Sequence, residues 1–462
     1  MPREETIARR RVKALLDPDS FVELDALVAG GEGVVTGYGA ADGRPVYVFA
    51  QDSSAQSGAV GAAHAAKILK VMKLARSCGA PIVGMFDSAG AKLEDGALAM
   101  NAYSELFAQA ARSSGTIPMI GIELGASAGA GAILPALMDA VIASESATQW
   151  IVGSGATAKE LNLFPHQADA KELGGARAHA KRGGVAILSQ DETEAIAKAR
   201  ALLSLLPDNS LESVEDAPTG DADINRSLTA LDPSDPDAIV SSLLDAGTAL
   251  PLYALYAPRV TTTLGRLGGR AVGIVAAVGK LCAGGCRKAA RFIRLCDCFN
   301  IPIITLINTD GISAAAPDDL TDAIKAAAQL SYAVAEATTA KLAIVTKNAI
   351  GAAYAAFGGR ASADALYAWP GSVISPITPE AAVAVFKKDE LDAAADNVDA
   401  KRASLADAYA RDTADGLNAA KLGLVDDVID PADTRRMLIS ALEMLQGKRD
   451  QNPPKKHGNL PL

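Results

Sequence analysis

Two short stretches rich in glycine and alanine are the parts of this 462-residue chain best suited to chemistry. Residues 125–132 read GASAGAGA and residues 348–354 read NAIGAAY, and each follows an apolar strand pattern and precedes a helix pattern. The start of a helix presents unpaired backbone N–H groups, which small neighbours leave accessible to a substrate oxygen. Such a turn can stabilise an oxyanion, although tight packing of a helix on a sheet also selects Gly and Ala. The duplication favours the chemical interpretation.

The first stretch also fits the GxSxG pattern of a nucleophile elbow, which places a serine between a strand and a helix. Ser127 would then be the nucleophile of a serine hydrolase. Two observations oppose this hypothesis. The second stretch contains no serine, and the histidine of that fold should follow an aspartate late in the chain, where only His457 lies, within a polar tail. The hydrolase therefore stays as a competing hypothesis that Ser127→Ala can test.

The elements that must position these turns occur twice, in the same order. The recurring anchors, separated by 221 to 228 residues, include LeuLeuAsp at 15–17 and 243–245, Asp87–Gly90 and Asn308–Gly311, and Ala128–Ala130 and Ile350–Ala352. Each half shows a helix, a fully apolar strand, a glycine turn, a second helix and a second apolar strand, which is typical of a covered parallel sheet. We therefore predict an α/β protein with two domains related by internal duplication, at 1–235 and 236–446, and a polar tail at 447–462.

Composition narrows the classes of function further. The net charge of −10 argues against nucleic acid as a partner, and the five cysteines have neither a disulfide framework nor zinc-ligand spacing. The N-terminus lacks a signal-peptide core, and the longest apolar run, 117–143, is interrupted by Glu123 and Asp139. We therefore expect a cytoplasmic protein without a metal site. A Met72-Lys73 pair resembles a biotin acceptor, but it lies in a helical pattern instead of a hairpin turn.

The motifs as a set resemble the carboxyltransferase subunits of biotin-dependent acyl-CoA carboxylases of the propionyl-CoA carboxylase beta-chain type. The alpha subunits of biotin-dependent acyl-CoA decarboxylases are equally similar. The resemblance covers nearly the whole chain and is carried by stretches that include GVVTG at 33–37, DSAGAK at 87–92, LGGA at 173–176 with His179, KAARFI at 288–293 and YAWP at 367–370. It implies two tandem crotonase-like domains, in agreement with the internal repeat.

The resemblance also implies a reaction, in which CO2 moves between carboxybiotin and the alpha carbon of an acetyl- or propionyl-CoA-class thioester. An enolate and a biotin anion would form, and each needs preformed N–H donors. Gly129 and Ala130 match the first oxyanion hole, and Ala352 and Ala353 match the second. The resemblance assigns further substrate contacts to Gly90, Ala91, Gly175, His179, Gly351, Tyr354 and Ala355.

Partners and direction follow from the same resemblance. Biotin would arrive as carboxybiotin on a carrier protein, supplied with a biotin carboxylase or with the membrane subunits of a sodium-pumping decarboxylase, and the chain would form a homo-oligomer, a hexamer in the family. Two departures from the family pattern stand out: the Asp-Thr-Pro-Gly-Phe turn is replaced by residues 308–312, and the acyl-pocket Asp is replaced by Ala355. They leave open a carboxylase, a decarboxylase of methylmalonyl-CoA or a related acyl-CoA, and a non-catalytic assembly subunit.

Overall fold

Two sheets of identical topology form the framework of the protein. The computed structural model describes residues 5–160, 170–219, 221, 223–224, 226–228, 231–313, 317–394 and 397–461. Within these residues the chain divides into two compact units, one of residues 1–214 with 253–256 and the other of residues 215–252 with 257–462. The limits predicted at 235 and 446 stay predictions, and the structure divides the chain between residues 214 and 215.

The first unit contains the following described elements. Its strands are β1 (Val22–Leu24), β2 (Val34–Ala41), β3 (Arg44–Gln51), β4 (Ile82–Ser88), β5 (Met119–Ala128), β6 (Ala140–Ser144), β7 (Thr148–Trp150) and β8 (Ile187–Ser189). Its helices are α1 (Ile7–Leu15), α2 (Ala62–Cys78), α3 (Ala97–Ser113), α4 (Ile133–Ala136), α5 (Ser154–Glu160), α6 (Ala170–Gly174), α7 (Ala176–Lys181) and α8 (Glu192–Leu203).

The second unit contains a matching set of described elements. Its strands are β9 (Leu250–Leu252), β10 (Val260–Leu267), β11 (Arg270–Val278), β12 (Ile303–Thr309), β13 (Lys341–Ile350), β14 (Ala365–Ala368), β15 (Val373–Ser375) and β16 (Asp427–Val428). Its helices are α9 (Pro236–Leu243), α10 (Ala283–Cys298), α11 (Pro317–Glu336), α12 (Gly351–Ala356), α13 (Gly359–Ser362), α14 (Pro379–Phe386), α15 (Lys388–Asp392), α16 (Val398–Asp412), α17 (Gly416–Lys421) and α18 (Thr434–Met444).

The strand order confirms the predicted α/β class and the duplication. The first sheet runs β1-β2-β3-β4-β5-β6-β8 with β7 beside β5, and the second runs β9-β10-β11-β12-β13-β14-β16 with β15 beside β13. In each sheet the first three strands pair antiparallel and the remaining pairs are parallel. This is the duplicated two-domain arrangement that the repeat predicts, and it agrees with the crotonase-like fold that the resemblance implies.

Burial explains why the central strands are mostly apolar. Nearly every side chain of β4 and all those of β12 are buried, because helices cover the sheet. In the first unit Phe49 and Phe86 meet edge to face, with ring centroids 5.5 Å apart, beneath α2. Gly84 is needed there, since a Cβ at that position would lie 2.3 Å from the Phe49 ring.

Residues 207–237 are rich in Asp, Ser and Pro, which is typical of a linker, but part of this segment is anchored in the second unit. Arg435 of α18 is fully buried, donates to the carboxylates of Asp221 and Asp245 at 2.8 Å and 2.6 Å, and also donates to the carbonyl of Ile224. Buried charges are retained only when paired. The anchoring cation comes from a helix about 200 residues further along the chain, so the polar composition of the segment gave no sign of it.

Candidate functional site

Two hydrogen bonds of a side-chain hydroxyl group stabilise the turn that follows β4. The Ser88 hydroxyl donates to the carbonyl of Gly58 at 2.7 Å and accepts from the amide of Gly90 at 3.1 Å. Gly90 has a φ of +106°, and a Cβ there would lie 2.8 Å from the carbonyl oxygen of Ala128. The glycine therefore lets this turn pack against the end of β5. Because its amide is already bonded to Ser88, Gly90 would serve a substrate by leaving space and not by donating.

The second unit repeats this turn with different residues. Thr309 donates to the carbonyl of Gly279 at 2.9 Å and accepts from the amide of Gly311 at 3.3 Å, and Gly311 has a φ of +108°. Residues 308–312, which depart from the family pattern, thus repeat the backbone geometry of the turn after β4. It gives no structural reason to regard the second half as impaired.

The first glycine-alanine stretch leaves its backbone bare at the end of β5. Gly129 has a φ of +58°, and no atom lies within 4 Å of the place where its Cβ would be. Ala130 follows in a short 3₁₀ turn, and both Ala130 and Ala91 pack against the same core cluster. The structure therefore brings Gly90, Ala91, Gly129 and Ala130 together.

The second stretch opens onto a cleft. Gly351 has a φ of +60°, and a Cβ there would lie 2.9 Å from the carbonyl oxygen of Pro376. The cleft has a volume of about 490 Å³ and is lined by Gly351, Ala352, Tyr354, Ile374, Ser375 and Pro376. Ala353 and Ala355 do not line this cleft. Ala353 is buried and Ala355 is exposed, so these two alanines of α12 face different surroundings. The amides at the start of α12 are among those that a helix leaves without internal partners.

Gly175 and His179, also predicted to contact substrate, make their described contacts with β7 and with their own helix. Gly175 forms a bridge with Thr148, and His179 Nε2 lies 3.2 Å from the carbonyl oxygen of Gln149. Burial lowers the pKa of His179, which favours the neutral imidazole. Both residues support β7, which pairs with residues 126–128 directly before the Gly129 turn.

Ser127 does not have the environment of a nucleophile. It lies within β5, is 1% exposed, and its hydroxyl has no hydrogen-bond partner among the described residues. A nucleophile elbow requires an exposed hydroxyl beside a base. His179, a candidate base, has its Nε2 3.2 Å from the backbone carbonyl oxygen of Gln149. The geometry therefore does not support the serine hydrolase hypothesis.

Three sets of ionisable groups that are wholly or largely buried were not predicted from the sequence. Asp87 pairs with Arg11 at 2.8 Å, although the two are 76 residues apart. Glu123 lies fully buried in β5, where desolvation raises its pKa to about 7. Lys67 and Lys288 are buried at matching positions of α2 and α10, 221 residues apart, and desolvation lowers both of their pKa values. The repeat offset was the one signal that could have identified the lysine pair.

No described helix is both long enough and sufficiently apolar to cross a membrane. Among the described residues, no group of three or more His, Cys, Asp or Glu side chains is arranged to hold a metal ion.

Comparison with known proteins gives one consistent result. A family model described as the carboxyl transferase domain matches residues 1–460. The chain is 38% identical to the methylmalonyl-CoA decarboxylase subunit alpha of Veillonella parvula and 37% identical to a putative propionyl-CoA carboxylase beta chain of Bacillus subtilis, over 98% of this chain and 93% of each relative.

A solved structure agrees with the sequence relatives. The hexameric transcarboxylase 12S, with methylmalonyl-CoA and methylmalonic acid bound, superposes with a TM-score of 0.92 at 34% identity, over 98% of this chain and 92% of that one. The duplicated fold, the sequence relatives and this superposition lead to the same conclusion. The chain belongs to the carboxyl transferase domain family and is an enzyme component of the type found in acyl-CoA carboxylases and decarboxylases.

Proposed function

We propose that this protein transfers CO2 between carboxybiotin, held on a carrier protein, and the alpha carbon of a short acyl-CoA of the acetyl- and propionyl-CoA class. The observation that carries the proposal is the matched backbone geometry of the two halves. The φ angles are +106° and +108° at Gly90 and Gly311, and +58° and +60° at Gly129 and Gly351. Such conformations are costly for residues with a side chain, so their duplication indicates two sites built for the same purpose.

The proposed reaction develops negative charge at two oxygens. In the carboxylation direction the N–C bond of carboxybiotin breaks, a C–C bond forms at the alpha carbon, and the alpha proton passes to the biotin nitrogen. Charge develops on the thioester oxygen as the enolate forms and on the ureido oxygen as CO2 leaves. Preformed N–H donors at each oxygen lower both barriers without a side-chain base.

Each turn fits one of these charges. Gly129 and Ala130 would donate to the thioester oxygen, and Ala352 and Ala353 to the ureido oxygen. The open space at Gly129 and the cleft beside Gly351 and Tyr354 leave room for a substrate at both turns. Tyr354 lines that cleft, and Ala355 follows it on the exposed side of α12, where it would border the acyl group.

Partners and direction belong to the same proposal. The carrier and either a biotin carboxylase or decarboxylase membrane subunits would supply and receive CO2, and the chain would assemble as a hexamer in the cytoplasm. The relative from Veillonella parvula carries the name of a decarboxylase subunit and that from Bacillus subtilis the name of a carboxylase subunit, so both directions have support.

A panel of acyl-CoA thioesters tests the proposal. The purified protein is incubated with carboxylated carrier and with acetyl-, propionyl- or butyryl-CoA, and the reverse reaction is followed with malonyl- and methylmalonyl-CoA and free biotin. We expect carboxyl transfer with at least one pair, and the thioester with the highest kcat/KM identifies the substrate class. Absence of transfer with every thioester in both directions would leave a non-catalytic assembly subunit.

A further inference from the structure

A buried carboxyl group lies in the strand that leads into the first turn. Glu123 is 0% exposed, and its neighbours in the adjoining strands are Phe86 on β4 and Ala143 on β6. Its Oε2 accepts a hydrogen bond from the side-chain amide of Gln149 on β7. A charged carboxylate in such a place needs a cation or several donors, and Gln149 supplies one donor.

Two buried polar atoms in β5 lack hydrogen-bond partners among the described residues. Glu123 Oε1 and the Ser127 hydroxyl are both buried, and neither has a hydrogen-bond partner of normal geometry among the described residues. The hydroxyl is nevertheless close enough to favour the charged form of the carboxyl group. A protonated Glu123 satisfies both atoms, because its O–H can donate to Ser127 while its other oxygen continues to accept from Gln149.

The surrounding charged groups do not offer Glu123 a counterion. Asp87 and Glu192 pair with Arg11, Glu145 with Arg177 and Arg200 with Asp17, while Asp139, Glu194 and His179 bond to backbone groups. Lys198, the remaining charged residue of α8, is not among the groups that shift the pKa of Glu123. Desolvation is accordingly the largest influence on Glu123 and raises its pKa to about 7.

The carboxyl group is connected to the first turn through Gln149. The side chain of Gln149 bonds to Glu123, its backbone carbonyl lies 3.2 Å from His179 Nε2, and its strand pairs with residues 126–128 just before Gly129. We propose that Glu123, Gln149 and Ser127 form a buried positioning group that holds the Gly129 turn in its active geometry when Glu123 is a neutral carboxylic acid. This inference rests on the proposed function of that turn.

Ionisation of Glu123 places an uncompensated charge beside β7, and the turn loses its alignment. Activity therefore falls as the pH rises above the midpoint of this titration, by about tenfold per pH unit once the charged form dominates. Glu123→Gln retains both hydrogen bonds and cannot ionise. The ratio of kcat in this variant to kcat in the wild type should therefore rise by about tenfold per pH unit. Other effects of pH that act on both enzymes equally cancel in this ratio.

The matched control is Glu145→Gln, since Glu145 lies in the same unit but on the surface, paired with Arg177. Its kcat ratio should not change with pH. A constant ratio for Glu123→Gln over the same range would overturn the positioning role, and recovery of wild-type kcat at low pH in Glu123→Gln shows that the variant folds.

An activity-independent measurement separates this inference from the proposed function. Infrared difference spectroscopy of the full chain should show a carbonyl band of a neutral carboxylic acid that disappears with a midpoint near neutral pH and is missing in Glu123→Gln. Gln149→Leu removes the donor that favours the charged form, so the midpoint should move to higher pH. Absence of the band in the wild type would refute the neutral acid.

Trp150, next to Gln149 on β7, reports whether the titration reaches that strand. We expect a step in tryptophan fluorescence at the same midpoint in the wild type and none in Glu123→Gln. If the wild type transfers no carboxyl group to any thioester, the proposed function fails, while the fluorescence step still supports the link between Glu123 and β7. A missing step would contradict that link.

Discussion

Gly129→Ala examines whether the first turn needs its unusual backbone conformation. The φ of Gly129 is +58°, and a Cβ at this position meets no atom within 4 Å, so the substitution introduces no collision. Its direct cost is the left-handed conformation, about 1–2 kcal/mol for a residue with a side chain. Relief of that strain would rotate the adjoining peptide groups and turn the amides of Gly129 and Ala130 away from the thioester oxygen that we propose they bind.

The effect on catalysis should exceed the effect on stability. Loss of one oxyanion donor lowers kcat by about 100- to 1000-fold, equivalent to about 3–4 kcal/mol. We therefore expect Gly129→Ala to lose about 100-fold or more in kcat while unfolding only about 1–2 kcal/mol more easily. Carboxyl transfer from carboxylated carrier measures the first quantity, and chemical denaturation measures the second.

The chain offers a control with the same backbone conformation outside the turns. Gly43, in the hairpin between β2 and β3, has a φ of +77°, and a Cβ added there would also meet no atom within 4 Å. Gly43→Ala should lose similar stability and keep its kcat. If Gly129→Ala keeps the wild-type kcat while losing as much stability as Gly43→Ala, the amides of the first turn do not stabilise the transition state.

Three other outcomes follow from the described contacts. Ser127→Ala should lower kcat by no more than about tenfold, because the buried hydroxyl would serve only as a hydrogen-bond partner of Glu123, whereas a serine hydrolase would lose its activity altogether. Arg435→Met should lower the free energy of unfolding of the second unit by about 3–5 kcal/mol, since it leaves the buried carboxylate of Asp245 without its cation, while Asp221 keeps Arg226. The corresponding Arg200→Met, at a pair about a quarter exposed, should cost about 1 kcal/mol or less, and a larger loss than in Arg435→Met would contradict the comparison. The amide of Gly43 and the guanidinium of Arg200 lower the pKa of Asp17 to about 2. Its contribution is therefore complete above about pH 4 and disappears as the pH falls through 2, so Asp17→Asn should flatten that part of the acid-unfolding curve.

Local sequence predicted the elements that carry the site and the two bare turns. The apolar runs at 81–86 and 302–307 predict strands, and β4 and β12 lie there, each displaced by one or two residues. Continuous apolar runs reveal such strands because both faces of the sheet are covered. The glycine positions were predictable for a related reason, since few residues other than glycine adopt a positive φ at little cost.

The contacts that support the turns were not predictable in this way. In the sequence, Ser88 and Thr309 look like ordinary polar residues. The carbonyl groups to which their hydroxyls donate belong to Gly58 and Gly279, each 30 residues earlier in the chain. Gly175 and His179 are assigned to substrate by a motif, and that assignment stays a prediction; the structure adds that both contact β7. A motif records that residues are required, but not whether they touch a ligand or the backbone beneath it.

By itself, the sequence determined the duplication, the α/β class and the two places where small residues leave the backbone exposed. These features depend on residue size, hydrophobic period and permitted φ, which act over a few neighbouring residues. Only the tertiary structure decided which polar groups meet. Glu123 and Gln149 are 26 residues apart, and Asp245 and Arg435 are 190 apart. Whether a carboxyl group is neutral or charged depends on its desolvation and its partners, and both arise only when the sheet and helices close around it.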